Sequence, residues 1–170
     1  LFDEMALKKN IDYVVDLPKN LKGWCDKDLV EKIIFNLLSN AFKYTPEQGV
    51  IELNITILSL NGEKTLVLNI VNSGKGIPKE KLEAIFEKFY LLDQDKKVGA
   101  NMFRTGIGLA YTKKLVQLLK GNISVKSELN KSTTFRVELP CDNKKGGGEL
   151  STSAQYISPN LKFITGQVGD

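Results

Sequence analysis

Two alternating apolar runs, "VIELNITILSL" at residues 50–60 and "KTLVLNIV" at 64–71, flank Asn61-Gly62, and this pairing constrains the chain more than any other feature. Asn-Gly supplies the left-handed positions of a type I′ turn, whose twist matches two paired strands. Alternation with period two sends one set of side chains to a buried face and the other to water. Helices can then cover only the dry face. The hairpin predicts an α+β fold, a sandwich of one sheet and one helical layer.

The remaining elements fit around it. A helical turn is expected over residues 3–9 and a strand over 11–16. Asp26 is a fitting N-cap for a helix that runs to Tyr44 and is stopped by Pro46. Pro78 opens a helix over 79–88, and a helix from Gly108 to Lys120 ends at Gly121, a C-cap glycine. Residues 91–105 have no periodicity and read as a mobile loop. Strands at 122–127 and 134–139 bring the tally to about five strands and three helices, one domain over residues 1–140. Residues 141–170 have the composition of a linker or tail, with "LKFITG" (161–166) offering one extra edge strand.

Composition excludes several functions. A net charge of +4 without an Arg-rich stripe argues against a nucleic-acid partner. Cys25 and Cys141 stand far apart with no C-x-x-C spacing, which suits a reducing compartment and not a cysteine zinc site. No apolar run reaches the ~18–20 residues of a membrane span, so no direct membrane contact is expected. No signal peptide opens the chain, and its first residue is Leu, so it reads as a piece of something longer. Histidine is absent altogether, which removes the usual general base and any phosphate-accepting imidazole.

Within "IFNLLSNAFKYTP", polar residues interrupt an otherwise apolar helix. At ~100° per residue, Val30, Ile33, Ile34, Leu37, Leu38 and Ala41 share one arc of roughly 140°, while Asn36, Asn40 and Lys43 fall within about 60° just off its edge. Any one of them is explained by a wet boundary. Together they form a rail one turn apart, built from a poor helix former whose carboxamide needs partners. Carboxamide oxygens suit Mg²⁺, and a lysine one turn on suits phosphate. Two glycine loops add to this. "NSGKGIP", with Gly74 and Gly76, joins a strand to a helix, where glycine permits a sharp turn and a close approach to a flat ligand. "RTGIGLA" opens a helix with Gly106 and Gly108, whose free N–H groups favour an anion. No Gly-Lys-Ser/Thr follows, so it is not a P-loop.

The order of these motifs resembles the catalytic ATP-binding domain of two-component sensor histidine kinases, in the superfamily that includes gyrase, Hsp90 and MutL. "NLLSNAFKYTP" is similar to its N box, "NSGKGI" to its G1 box, "IFEKFY" to its F box, "TGIGLA" to its G2 box and "STTFRVELP" to its closing strand. The resemblance covers residues 1–140 and implies a Bergerat fold, a mixed sheet with the helices on one face. It implies ATP and Mg²⁺ as cofactors, with Asn40 ligating the metal and Asn36 supporting it. Lys43 and Tyr44 would meet phosphates or ribose, and Asn72, Gly74, Gly76, Ile77 and Thr133 the base. Residues 91–105 would form a lid, with Arg104, Thr105, Gly106, Ile107, Gly108 and Leu109 at the phosphates. Phe86 and Phe89 would anchor the lid's base.

Three positions depart from the family pattern. Asn72 stands where an Asp normally takes the adenine amine, Arg104 where a Gly is usual, and "NKSTTF" lacks the usual glycines. An Asn can accept from adenine N6–H or, with its amide turned over, donate to guanine O6. Thr133, on the same face as Phe135 by alternation, is a candidate to lock the adenine-reading orientation.

The expected function is transfer of the ATP γ-phosphoryl group to a histidine on a separate dimerisation domain of the same protein, with a response-regulator receiver domain downstream. The expected location is cytoplasmic, under a membrane-bound parent. The rival is a degenerate nucleotide-sensing module that signals by docking. A gyrase-like or Hsp90-like ATPase would need a Glu on the asparagine helix, and Glu31 lies about 180° from Asn40 on the wheel. Because the chain has no histidine, incubation with labelled ATP should leave no acid-labile phosphate on it. Stable incorporation would contradict this reading.

Overall fold

A computed structural model describes residues 1–18, 22–90, 106–141 and 148–151, with backbone only at 22–24 and 148–151. Helix α1 (Phe2–Lys9) leads into strand β1 (Asp12–Asp16), and a short strand β2 (Lys22–Cys25) into helix α2 (Lys27–Tyr44). The hairpin follows as β3 (Val50–Leu60) and β4 (Glu63–Ser73). Helix α3 (Gly108–Leu118) then precedes β5 (Asn122–Glu128), β6 (Ser132–Pro140) and β7 (Gly148–Ser151).

Five strands form one mixed sheet in the order β1-β3-β4-β6-β5, antiparallel except where β1 runs parallel to β3. The hairpin pairs from Leu60 with Glu63 to Ile51 with Asn72, and Asn61 and Gly62 turn it at φ of 52° and 83°. Its alternation decides the layers. Ile51, Leu53 and Ile55 of β3, Leu66, Leu68 and Ile70 of β4, and Phe135, Val137 and Leu139 of β6 are buried on one face. The arc of α2 that the helical wheel selects, Val30, Ile33, Ile34, Leu37, Leu38 and Ala41, is buried with them. Each fully buried Val, Leu, Ile or Phe among them contributes about 1.5–3 kcal/mol. The opposite face carries Glu52, Asn54, Asn69, Arg136 and Glu138, with Arg136 paired to Glu138 at 2.7 Å.

Three local readings are corrected. The turn expected at 3–9 is a full helix, closed by Asn10 in the left-handed region. Residues 79–88 form two 3-10 turns, Lys79–Lys81 and Ala84–Phe86, instead of one helix. Leu82, Ile85 and Phe86 still pack on the core, but the backbone turns extended at Glu87 (φ −78°, ψ 149°) and left-handed at Phe89 (φ 63°), which ends the helical path. The stretch read as linker contains β7, which pairs antiparallel with β2 from Lys22 with Ser151 to Cys25 with Gly148. Residues 161–166 lie outside the described residues. No helix among the described residues is long and apolar enough to cross a membrane.

The C-terminal end of α2 is bound into its surroundings. Lys9 Nζ donates to the carbonyls of Phe42 at 2.7 Å and Thr45 at 3.3 Å, and Thr45 Oγ1 donates to Ala41 O at 2.7 Å. The last carbonyls of a helix have no partner within it and carry the negative end of its dipole, so an ammonium there is doubly favoured. Phe42 itself packs between Phe2 and Tyr13, ring centroids 5.3 and 5.2 Å away. Lys9→Met keeps the aliphatic stem but strands these carbonyls, and should lower stability by about 1–2 kcal/mol. Urea unfolding of the two proteins measures this directly; an unchanged midpoint would show the contact to be idle.

Candidate functional site

Helix α2 carries the first half of the site. Asp26 caps it by accepting from the Leu29 amide at 3.1 Å, and the buried arc fixes its rotation. Asn36, Asn40 and Lys43 consequently emerge together, each half-buried at the edge of the core. Among the described residues neither asparagine side chain makes a hydrogen bond. Carboxamides held at a core edge without partners are groups waiting for an outside one. Lys43 Nζ donates to the Tyr44 hydroxyl at 2.8 Å and lies 4.5 Å from that ring's centroid. Glu31 is on the far side, 3.7 Å from Lys27, so α2 brings no carboxylate to the rail.

Strands β4 and β6 carry the second half. Asn72 and Thr133 are both buried and face each other in register. Asn72 Nδ2 donates to the Ser73 carbonyl at 3.0 Å. Turning the amide over would set two oxygens against each other, so Ser73 holds the orientation and Thr133 is not the lock. Thr133 is fixed by a residue the sequence reading passed over. Ser127 Oγ accepts from the Ile77 amide at 2.9 Å and donates to Ser132 O at 3.0 Å. Its only proton is then spent, so Thr133 is the donor in their 2.8 Å contact and has acceptor capacity alone for anything else. The signal was available, because alternation puts Ser127 on the inner face beside Val125 and Ile123.

The glycines divide by what surrounds them. A Cβ on Gly74 (φ 153°) would lie 2.8 Å from the Tyr44 carbonyl, and one on Gly76 (φ 70°) 2.6 Å from that of Glu128. Here the close approach is made by neighbouring backbone, which presses the G1 loop against the end of α2 and the β5–β6 turn. Gly106 (φ 63°) is likewise pressed on Phe89 and Tyr90, and its carbonyl accepts from the Phe89 amide at 3.0 Å. Gly108 differs, since nothing lies within 4 Å of its added Cβ. It begins α3, whose N-cap Ile107 gives no side-chain bond, while Thr112 Oγ1 takes the Gly108 carbonyl at 2.9 Å. Among the described residues no side chain caps the first amides of α3.

The other expected residues are placed unevenly. Ile77 is buried, Leu109 packs against the core and Ile107 is exposed. Phe86 meets Phe135 edge-on with centroids 6.3 Å apart. Phe89 is exposed, and its amide donates to the Gly106 carbonyl at 3.0 Å. Residues 91–105, with Arg104 and Thr105, lie outside the described residues. Among the described residues no group of three or more His, Cys, Asp or Glu could hold a metal ion.

Polar residues at the ends of β4 and β6, together with a helix that carries two carboxamides and a lysine, suit a nucleotide-binding class of domain. Residues 25–143 match the family model of histidine kinase-, DNA gyrase B-, and HSP90-like ATPases, and the chain belongs to that family. It is similar to the sensor histidine kinase TmoS of Ectopseudomonas mendocina, 39% identical over 163 residues, which is 96% of this chain and 16% of that protein. It is also similar to the sensor histidine kinase WalK of Bacillus subtilis (strain 168), 34% identical over 140 residues, 81% of this chain and 22% of that protein. The chain thus spans a small part of the curated relatives it matches. Among solved structures, the nucleotide-free catalytic domain of histidine kinase ThkA is 26% identical with a TM-score of 0.69, covering 83% of this chain and 87% of that one. Full-length ShkA in complex with AMPPNP, at 22% identity and a TM-score of 0.66, shows the same fold. The two-layer sandwich is that of a histidine kinase catalytic domain with an ATP-binding fold.

The fixed amide of Asn72 makes a specific expectation about the base. Held by Ser73, it keeps its oxygen for an exocyclic amine, so the domain should still prefer ATP to GTP. Asn72→Asp should tighten ATP by about 1 kcal/mol through a charged acceptor. Titration of non-hydrolysable ATP and GTP analogues into both proteins tests this; equal affinity of the wild type for the two would show that the amide turns freely.

Proposed function

We propose that this domain binds Mg-ATP between the α2 rail and the inner ends of β4 and β6. In the whole protein it would pass the γ-phosphoryl group to a histidine on a separate dimerisation domain. A receiver domain of a response regulator would accept the phosphoryl group afterwards, and the domain would lie in the cytoplasm under a membrane-bound parent. The half-buried carboxamides of Asn36 and Asn40, aligned with Lys43 and without hydrogen bonds among the described residues, carry the reading.

The donor set supports the metal assignment. Asn40 offers a neutral oxygen with no carboxylate cluster beside it among the described residues, so a cation held there needs its charge balanced from elsewhere. A triphosphate supplies that balance, which fits Mg²⁺ arriving with the nucleotide. When bound there, the metal would offset negative charge on the phosphate oxygens. The chain's own part is positioning. Lys43 and the uncapped amides at Gly108 would take phosphate oxygens, with Arg104 and Thr105 alongside. Tyr44 would steer Lys43, and Asn72 and Thr133 would fix the base. The attacking nitrogen belongs to the acceptor histidine and ADP leaves, so no general base is required of this chain.

Asn40→Ala should weaken nucleotide binding by roughly tenfold in Mg²⁺ and hardly at all in EDTA, since the lost contact is a metal ligand. Calorimetric titration under both conditions separates the cases. Equal losses would make Asn40 a structural residue and remove the metal from the proposal.

A further inference from the structure

The two cysteines take no part in this reading, yet the fold brings them together. They are the only two in the chain, one ending β2 and the other directly following β6. Both lie in the same hydrophobic core. Cys25 Sγ donates to the carbonyl of Pro140, the residue before Cys141, at 3.6 Å. Cys141 Sγ in turn donates to the carbonyl of Leu139 at 3.5 Å, so both thiols are held at the last residues of β6. Each is held from behind by backbone: Cys25 pairs with Gly148 in the β2–β7 ladder, and the Cys141 amide donates to Lys64 O at 2.9 Å. The contact is thus set by two strand ends and not by one rotamer. We propose that Cys25 and Cys141 are a modification site, a dithiol that a peroxide converts to an intramolecular disulfide and a small dithiol restores.

The chemistry follows from the burial. The neighbouring thiol, then desolvation, pushes the Cys25 thiol well above the ordinary cysteine range. Thiolate is the reactive form, so the pair rests reduced and reacts slowly. Cys25, at 6% exposure against 0% for Cys141, is the one a small oxidant reaches first. Its thiolate attacks a peroxide oxygen, the O–O bond breaks, and the hydroxide released takes up a proton as water. This leaves a sulfenic acid on Cys25. The Cys141 thiolate then attacks that sulfur, the S–S bond forms and the S–O bond breaks, and the departing hydroxide leaves as a second water. Two thiols are oxidised and one peroxide is reduced.

The bond would join the residue before the α2 N-cap to the end of β6, closing a covalent loop around α2, β3, β4, α3 and β5. A loop of that length constrains the unfolded chain strongly. The purified domain should be treated with hydrogen peroxide, unfolded, and its remaining thiols blocked with a maleimide before mass measurement. The expected product is a monomer without maleimide, lighter by two thiol hydrogens, with Cys25 and Cys141 linked in its peptide map. Its unfolding temperature should rise, and dithiothreitol should reverse both changes. Cys25→Ser and Cys141→Ser should each lose the rise. If either variant fails to fold, the wild-type peptide map alone decides. A wild type that keeps both thiols, takes oxygen on each sulfur separately, or links only between molecules overturns the proposal.

Discussion

The carbonyl groups at the end of α2 are where the two halves of this domain are made to agree. Lys9 occupies those of Phe42 and Thr45, and the Tyr44 carbonyl lies too close to Gly74 for any side chain to fit there. A few residues on, Gly49 is enclosed by Thr45, Pro46 and Ser73, while Ser73 Oγ accepts from the Val50 amide at 2.9 Å. The end of the helix, the start of β3 and the end of β4 are thereby one packed junction. Asn36, Asn40 and Lys43 ride rigidly on the helix, and Asn72 sits beside Ser73. The junction consequently sets the distance between the proposed metal-binding rail and the base-reading strand ends. It also ties α1 to the site, because Lys9 comes from that helix.

Much of this was legible because the signals are periodic. The hairpin, the buried arc of α2 and the inward rows of β4 and β6 follow from alternation and a helical wheel, and the core was set by them. What failed was short or tertiary in origin. Strand β2 is four residues long, too short to show a period, and β7 has meaning only through β2. Residues 79–88 carry a helix-opening proline and an apolar stripe at 82, 85 and 86, yet the chain turns extended at Glu87 and left-handed at Phe89, which no periodicity announces. The glycines were recognised as special, yet sequence could not say whether ligand or backbone makes the close approach. At Gly74, Gly76 and Gly106 it is backbone; at Gly108 the space is open.

The polar residues of the candidate site divide into those whose bonds are already made and those whose bonds are not. The amide of Asn72 is oriented by the Ser73 carbonyl, and the hydroxyl protons of Ser127 and Thr133 are assigned by their neighbours. Asn36 and Asn40 are left open among the described residues, which suits a ligand whose charge and water shell must be accommodated.

The strand order also bears on how the chain assembles. Strands β3 and β4 meet across a two-residue turn, so their pairing costs little loop closure, and β5 with β6 is nearly as local. The β2–β7 ladder instead joins Lys22 to Ser151 and can close only after everything between them has found its place. That ladder abuts the start of α2, whereas Lys9 and the Gly49 turn fasten its end. The helix is thus held early at one end and late at the other. Under stress its first turns, and not the turn bearing Lys43, should be the first to fray.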